Sequence, residues 1–585
     1  MLKTLSTLWP YVRRYRKGFA LGMGALLMKG LLGAALPVVL KNGVESLTAG
    51  FRLSLVLEFA GLLIGLSAIK GLFQYWMRVI IIGVSRDIEF DLRNDLFHHL
   101  VALSQDFYGR YRTGDIMARS TNDLNAVRMM LGPGIMYQTE TSVMLILSVA
   151  VMLHTDVRLT LMALAPAPLV SIAVIVFGRR IHARFEHIQR MFSDISSRVQ
   201  ENLAGVRVVR AYAQEEAEVA EFARLNQEYV RENIGLARIQ GLFMPLLQAL
   251  IGLTFLLVLW AGGRQLLQGH ISLGSFVMFN IYMGMLIWPM IAFGWVVNLM
   301  QRGTASLDRI NQILHERPSI AIPIASPATV PARASEHSAE IRFRDVFMTF
   351  SQRRDALAGV DLTIAAGETV AVVGHTGSGK TTLVNLVPRL FDPTSGTVEV
   401  GGVDVRRYDP EELRHQIGFI PQETFLFSAT LAENIAWGVA DASPEQICRA
   451  AEVAGLASDI ESFPKGLDTM IGERGLTLSG GQKQRAAIAR AILRKPRILI
   501  LDDALSSVDT LTEEKILNEL ANVMRERTTI LISHRVSTVR NAGRIIVLDH
   551  GSVVEVGTHE ELQRRGGYYA ELYQKQLLEE ELEAI

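Results

Sequence analysis

The run Gly374-His375-Thr376-Gly377-Ser378-Gly379-Lys380-Thr381-Thr382 fits G-x-x-x-x-G-K-[ST] at every fixed position and follows the apolar stretch Val370-Ala371-Val372-Val373. This spacing supports phosphate binding. Glycines let the backbone wind tightly enough for successive N–H groups to point at one phosphate, and the helix that follows adds its positive N-terminal end. Lys380 then bridges the β- and γ-phosphates of a nucleoside triphosphate, and the Thr381 hydroxyl ligates Mg²⁺. Leu499-Ile500-Leu501-Asp502 ends an apolar strand with a carboxylate, the arrangement that holds Mg²⁺ through water beside a phosphate loop. Leu478-Ser479-Gly480-Gly481-Gln482 opens the helical segment Lys483 to Leu493 with a serine cap and two glycines, a second anion-binding device. Two phosphate grips suggest two half-sites, with a γ-phosphate held between the loop of one domain and the Ser-Gly-Gly of another.

These motifs need strands that end, and helices that begin, at the loops. From Ile341 the chain reads as alternating strands and helices of an α/β type, with Ile498-Leu499-Ile500-Leu501 and Ile530-Leu531-Ile532 suited to buried parallel strands. The first half reads differently. Apolar stretches at about Phe19 to Leu40, Leu53 to Gly83, Gly134 to His154, Leu159 to Gly178, Phe243 to Gly263 and Leu273 to Met300 are each long enough to cross about 30 Å of hydrocarbon as a helix. Lys3, Arg13, Arg14, Arg16 and Lys17, with no acid among them, precede the first and place the N-terminus inside. The connections 41–52, 155–158 and 264–272 are short and outer, whereas 84–133 and 179–242 are long and inner.

Both long connections are charged with apolar residues at helical spacing, as in Ile181, Phe185, Ile188, Met191 and Ile195, so helices should continue below the bilayer. Their tips are expected at Gly109 to Asp115 and Gly205 to Ala213. Lys29, Lys70 and Glu140 are charges inside apolar spans, and Pro166, Pro168 and Pro289 should bend the helices that contain them. A polar Pro/Ala/Ser-rich segment from about Pro318 to Ser338 marks the domain boundary. The expected division is a transmembrane domain at 1–315, a linker at 316–340 and a nucleotide-binding domain at 341–585.

Composition agrees with this division. At 585 residues, 49% hydrophobic, with a mean hydropathy of +0.24, the chain is too long for one compact domain and calls for a membrane portion. Lys and Arg total 59 against 59 Asp and Glu, which gives no support for a nucleic-acid partner. The single cysteine, Cys448, excludes an intrachain disulfide framework or a cysteine-rich metal site. The first apolar run is too long for a signal-peptide core, so no cleavable leader is expected.

On these motifs the chain resembles an ATP-binding cassette (ABC) exporter half-transporter, six spans fused ahead of one cassette, over essentially its whole length. The resemblance implies an all-α six-helix transmembrane domain of the type IV exporter fold followed by an α/β P-loop nucleotide-binding domain, working on ATP with Mg²⁺. It assigns Gln422, in Ile420-Pro421-Gln422-Glu423, to the Q-loop, which senses Mg²⁺ and contacts the membrane domain. Glu473 falls in the exporter X-loop, Ser506 to Asp509 in the D-loop, and His534 is the switch histidine at the γ-phosphate. The inner tips correspond to coupling helices, the second reaching the partner chain's cassette. Phe350 stands where the adenine-stacking aromatic is usually Tyr, and it keeps the π-face. The implied metal set is Thr381, Gln422 and Asp502. The nucleotide contacts are Phe350, the loop 374–382 and Ser479, Gly480, Gly481 and Gln482, and the catalytic set is Asp503, His534 and Gln422.

One departure from the family pattern has larger consequences. The residue after the Mg²⁺ carboxylate, usually a water-positioning Glu, is Asp503. One methylene fewer draws the carboxylate back by roughly 1.5 Å, and misplacements near 1 Å cost about 10²-fold in rate. A full signature with Asp for Glu is similar to one subunit of heterodimeric bacterial exporters of the TmrAB and MdlAB type, whose other subunit has the Glu. The resemblance therefore implies a heterodimer in which this chain's own loop binds ATP but hydrolyses it slowly. The alternatives are a homodimer using Asp503 as base, which the retained His534 keeps open, and an ATP-gated channel or regulatory membrane subunit. The expected cargo is hydrophobic or amphipathic (drugs, lipids or peptides), exported or flipped across the cytoplasmic membrane in contact with its lipids.

Overall fold

The computed structural model describes residues 5–320, 339–350, 355–472, 478–506 and 510–583. They fall into two compact units, one of 1–102 and 112–316, the other of 103–111 and 317–585. Most of the expected linker, 321–338, lies outside the described residues, as do Glu473 of the X-loop and 507–509 of the D-loop.

The first unit is a bundle of six long helices: α1 (Arg16–Ala49), α2 (Leu53–Ala102), α3 (Thr113–Thr155), α4 (Val157–Ala204), α5 (Glu215–Leu267) and α6 (Leu273–Leu314). Each contains a stretch apolar enough to cross a membrane, and the six spans expected from the sequence fall one to a helix. At 1.5 Å per residue the 53-residue α5 is about 80 Å long, more than twice the hydrocarbon thickness, so the helices extend well beyond it. Outside the apolar stretches α4 and α5 stay together through polar contacts. Arg198 pairs with Glu218 at 2.6 Å, and Asn202 Nδ2 donates to Glu218 Oε2 at 2.9 Å.

Glu89 and Asp123, the buried charges of this unit among the described residues, are both paired, as burial requires. Glu89, 8% exposed, accepts from Arg86 and Arg93 on its own helix and faces Arg128 of α3 at 3.4 Å. Arg309 of α6 donates through Nε and one terminal nitrogen to the two oxygens of Asp123 on α3, a fork that fixes both distance and angle. In the apolar part, Met278, Phe279, Tyr282 and Leu286 of α6 form a core with Met152, Leu159 and Val258. Tyr282 also satisfies its hydroxyl by donating to the Ala34 carbonyl of α1.

Of the three prolines expected to bend their helices, two stand at a helix start and one inside a helix. Pro166 caps the segment Ala167–Ala204, which puts Pro168 in its first turn, where no backbone donor is missed; α4 is broken at this point rather than bent. Pro289 lies inside α6, and Pro37 and Pro245 lie inside α1 and α5. In α3 the turns Arg119–Asp123 and Met130–Gly134 widen to π-helix, the second around Pro133, whose missing N–H breaks the regular ladder. The first inner tip differs from the sequence expectation: its short helix is Gln105–Arg110, and Thr113 already starts α3, so 109–115 straddles both. The second tip is the helix Val206–Ala211, entered at Gly205, close to the expected span.

The second unit holds a four-stranded antiparallel sheet of order β2-β1-β4-β5 and a six-stranded sheet of order β10-β9-β3-β8-β7-β6. The strands are β1 (Ile341–Met348), β2 (Leu357–Ile364), β3 (Thr369–Val373), β4 (Ser395–Val400), β5 (Val403–Asp404), β6 (Ile417–Ile420), β7 (Ile498–Asp502), β8 (Thr528–Ile532), β9 (Arg544–Asp549) and β10 (Ser552–Gly557). In the larger sheet every pair is parallel except β10–β9. β7 and β8 are buried along their full length, and alternate side chains serve two cores. Ile498 and Ile500 face the core shared with the smaller sheet, whereas Leu499 and Leu501 face a helical core with Ile488 and Leu520. The helices that matter for the site are α7 (Lys380–Leu386), α8 (Gly480–Leu493) and α9 (Thr510–Met524).

Candidate ATP site

β3 runs into the phosphate loop and the loop into α7, the strand–loop–helix order that the motif requires. Gly374 has φ 150°, and an added Cβ would lie 2.1 Å from the Leu548 carbonyl oxygen; Gly379, at φ 103°, would meet the Ala356 oxygen at 2.4 Å. Both positions exclude any side chain by contact as well as by conformation. Lys380, 6% exposed, donates from Nζ to the carbonyls of Gly374 and His375 at 2.8 and 2.9 Å, so its ammonium is held inside the loop's own curl. Burial pushes its pKa below the usual lysine range, against the opposing pull of Asp502 and Asp503.

Parallel pairing brings the end of β7 close to the start of α7. Thr381 Oγ1 donates to Asp502 Oδ1 at 3.3 Å. Asp502 is 1% exposed, and its other oxygen, Oδ2, is buried without a hydrogen-bond partner. Burial raises its pKa; the Thr381 hydroxyl, Lys380 and His534 act against that, and Asp503 adds to it. A buried carboxylate oxygen with spare capacity beside a threonine hydroxyl fits Mg²⁺, a hard cation that takes one or two protein oxygens and completes its shell from phosphate and water. Among the described residues no group of three or more His, Cys, Asp or Glu could hold a metal ion.

A cleft of about 1130 Å³ gathers most of the predicted site: Phe350, Thr376, Gly377, Gly379, Lys380, Thr381, Thr382, Gln422, Asp502, Asp503 and His534 all line it. Phe350 is braced edge-on by Phe391, with ring centroids 5.4 Å apart. Three residues of the loop stand back from the cleft. Gly374 makes the turn, Ser378 is buried, and the His375 ring packs edge-on to Tyr568 at 5.2 Å. Asp503 sits at φ 50°, a left-handed conformation that Asp tolerates better than longer side chains, and its amide donates to Ile532 O at 3.0 Å.

Ser479, Gly480, Gly481 and Gln482 are not in this cleft. They form the start of α8, where Ser479 accepts from the Gln482 amide and the Gln482 side chain accepts from the Ser479 amide, a reciprocal cap. Gln482 also donates to Asp459 Oδ1 at 2.9 Å, so both ends of its carboxamide are held by its own chain. Ser479 and Gly480 remain exposed, while Gly481 is buried.

Four supporting residues were not legible in the motifs. Gln484, 4% exposed on α8, donates to Ser506 Oγ at 3.0 Å, and that hydroxyl donates to the Asp503 carbonyl at 3.0 Å, which ties α8 to the turn after β7. Glu513 of α9, 2% exposed, accepts from both Arg535 and Thr538 and so clamps the turn that carries His534. Asp355 and His550 line the cleft without belonging to any motif. Glu513→Ala leaves the buried Thr538 hydroxyl without this acceptor, and we expect it to lower stability by about 1–3 kcal/mol. ATP affinity of this chain's loop should stay within about twofold, because the phosphate loop is untouched. Thermal denaturation and equilibrium binding of labelled ATP check both.

The comparisons with known proteins agree with this geometry. Residues 19–290 match the ABC transporter transmembrane region family model and residues 357–506 the ABC transporter family model. The chain is 36% identical over 581 residues, 99% of its length and 98% of the relative's, to the probable multidrug resistance ABC transporter ATP-binding/permease protein YheI of Bacillus subtilis (strain 168). It is 34% identical over 98% of its length and 97% of the relative's to the multidrug resistance-like ATP-binding protein MdlA of Escherichia coli (strain K12). Identity to the ATP-dependent lipid A-core flippase of Syntrophus aciditrophicus (strain SB) is also 34%, over 97% of this chain and 94% of that one. Among solved structures, a bacterial Atm1-family ABC exporter with ATP bound superposes with a TM-score of 0.76 at 29% identity, over 97% of this chain and 98% of that one. Six membrane-crossing helices, a phosphate loop with its carboxylate and hydroxyl in one cleft, and relatives matched end to end place this chain in the ABC exporter family, as an ATPase-coupled transporter with its transmembrane and ATP-binding domains in one polypeptide.

Proposed function

We propose that this chain is one half of a heterodimeric exporter that uses ATP to move hydrophobic or amphipathic molecules out of, or across, the cytoplasmic membrane, with its N-terminus and cassette inside. The observation that carries the reading is the separation of the two phosphate grips. The cleft gathers the loop, Asp502 and His534, whereas the exposed Ser479 and Gly480 start a helix elsewhere on the same domain. A γ-phosphate bound by Lys380 needs such a helix start from a second cassette, and this chain's helix start serves the second cassette in turn. Lys380 and the loop amides neutralise phosphate charge, Phe350 stacks on the base, Asp502 and Thr381 hold Mg²⁺ with Gln422, and His534 stabilises charge at the γ-phosphate. Asp503, short by a methylene, positions water poorly, so turnover falls to the site that the partner's loop completes. The names of the relatives, multidrug resistance proteins and a lipid A-core flippase, support a cargo of amphiphiles. Uphill, ATP-dependent accumulation of such a cargo in vesicles holding this chain with its partner tests the reading. Downhill flux alone would support a gated channel instead.

Closure of the cassettes reaches the membrane helices through the inner tips. Shortening the second tip, Gly205 to Ala213, while keeping α4 and α5 should leave ATPase within about twofold and abolish uphill transport. Retained transport by the shortened protein would remove the coupling role.

A further inference from the structure

Lys29, Lys70 and Glu140 are brought together in the first unit by three different helices, and they line one cavity of about 190 Å³. Lys29 lies ten residues past Phe19 and eleven before Leu40, about 15 Å from either end of its apolar run. Lys70 is thirteen residues from the nearer end of its own run, about 20 Å away. A lysine side chain is far shorter than either distance, so neither ammonium reaches water by snorkelling past the end of its span. Lys29 Nζ meets Glu140 Oε1 at 2.5 Å, which neutralises that pair. Lys70 has no hydrogen-bond or ion-pair partner among the described residues. Its ammonium rests against α1 at Gly33, where an added Cβ would lie 3.8 Å from Nζ. The rest of the wall includes the apolar side chains of Met144, Met285 and Trp288.

An unpaired ammonium this deep is costly, and such groups mark places where a ligand supplies the missing charge. We infer that this cavity is a cargo subsite for an anionic amphiphile, with Lys70 taking a carboxylate, phosphate or sulfonate head and Met144, Met285 and Trp288 taking the first part of its apolar body. At about 30 Å³ per water, the volume holds about six waters or one such head with a few methylenes. Glu140 keeps Lys29 engaged, so the cavity carries one net positive charge and disfavours a cationic head. The inference rests on the exporter reading and adds to it the sign of the cargo's charge.

The test uses the assembled transporter in phosphatidylcholine nanodiscs with three dansyl probes of one chain length: a fatty acid, the corresponding alcohol and a trimethylammonium analogue. The acid should bind about tenfold tighter than the ammonium probe. Lys70→Gln should bring the acid down to the level of the alcohol, Lys70→Arg should keep the preference, and Lys70→Glu should reverse it, a pattern that loss of packing does not produce. Equal affinity for the three probes, or an acid preference that survives Lys70→Gln, overturns the subsite. Raising the phosphatidylglycerol fraction displaces the acid probe if the natural anion is a bilayer lipid head and leaves it unchanged if the anion is a detached amphiphile; both results follow from an anion site. Charge-selective binding without ATP-dependent accumulation of any probe in vesicles would defeat the exporter reading while leaving the subsite standing.

Discussion

Ser479→Arg combined with Gly480→Asp should lower ATP turnover of the assembled transporter by about 10²-fold or more, whereas Asp503→Ala should lower it by less than about twofold. The first change puts bulk and a carboxylate at the exposed start of α8, the surface a second cassette must offer to a γ-phosphate. It acts on the partner's site, where the proposal puts the working Glu. The second change removes a carboxylate that is already drawn back and held at φ 50°, so little rate is lost. Loss of the Ser479 cap costs about 1 kcal/mol of helix stability, and a thermal melt separates that from loss of catalysis. Steady-state ATPase of the heterodimer ranks the two variants. In a homodimer every site depends on Asp503, so both variants would stop turnover equally and the purified chain alone would hydrolyse ATP; that pair of results would replace the heterodimer with a symmetric transporter.

Lys380→Ala should weaken ATP binding at this chain's loop by about tenfold to a hundredfold. The removed ammonium would make charge-assisted contacts to the β- and γ-phosphates, each worth about 1.5–3 kcal/mol, and 1.4 kcal/mol is a factor of ten in affinity. It also ties the loop's own curl, through Gly374 O and His375 O, so its loss loosens the cradle as well as discharging it. Equilibrium binding of labelled ATP at sub-saturating concentration, on a variant whose partner loop is also disabled, measures this site alone. Unchanged occupancy there would mean that the nucleotide binds elsewhere.

What the chain alone determined was whatever depends on neighbouring residues. The loop 374–382 is legible because its glycines and lysine act through local backbone geometry, and each span because some twenty consecutive apolar side chains decide the solvent a helix can occupy. The order of strands around Asp502 was legible only as buried apolar runs. The register that sets Thr381 within 3.3 Å of Asp502 comes from parallel pairing of β3, β8 and β7, whose strands lie far apart in sequence. The same holds for Glu513 beneath the His534 turn, Gln484 on Ser506, and Asp459 on Gln482. None has a spacing that marks it, because each partner is chosen by which helix face packs on which strand end. The first inner tip was misplaced by a few residues, since helix ends are set by weak local signals and by the contacts of Phe107, here 1% exposed. Lys29, Lys70 and Glu140 could be recognised from the sequence as charges in the wrong solvent. That Glu140 neutralises Lys29 and leaves Lys70 alone in a shared cavity was decided only by the packing of α1, α2 and α3, because the side-chain partner of a buried charge is a property of the bundle and not of any one helix.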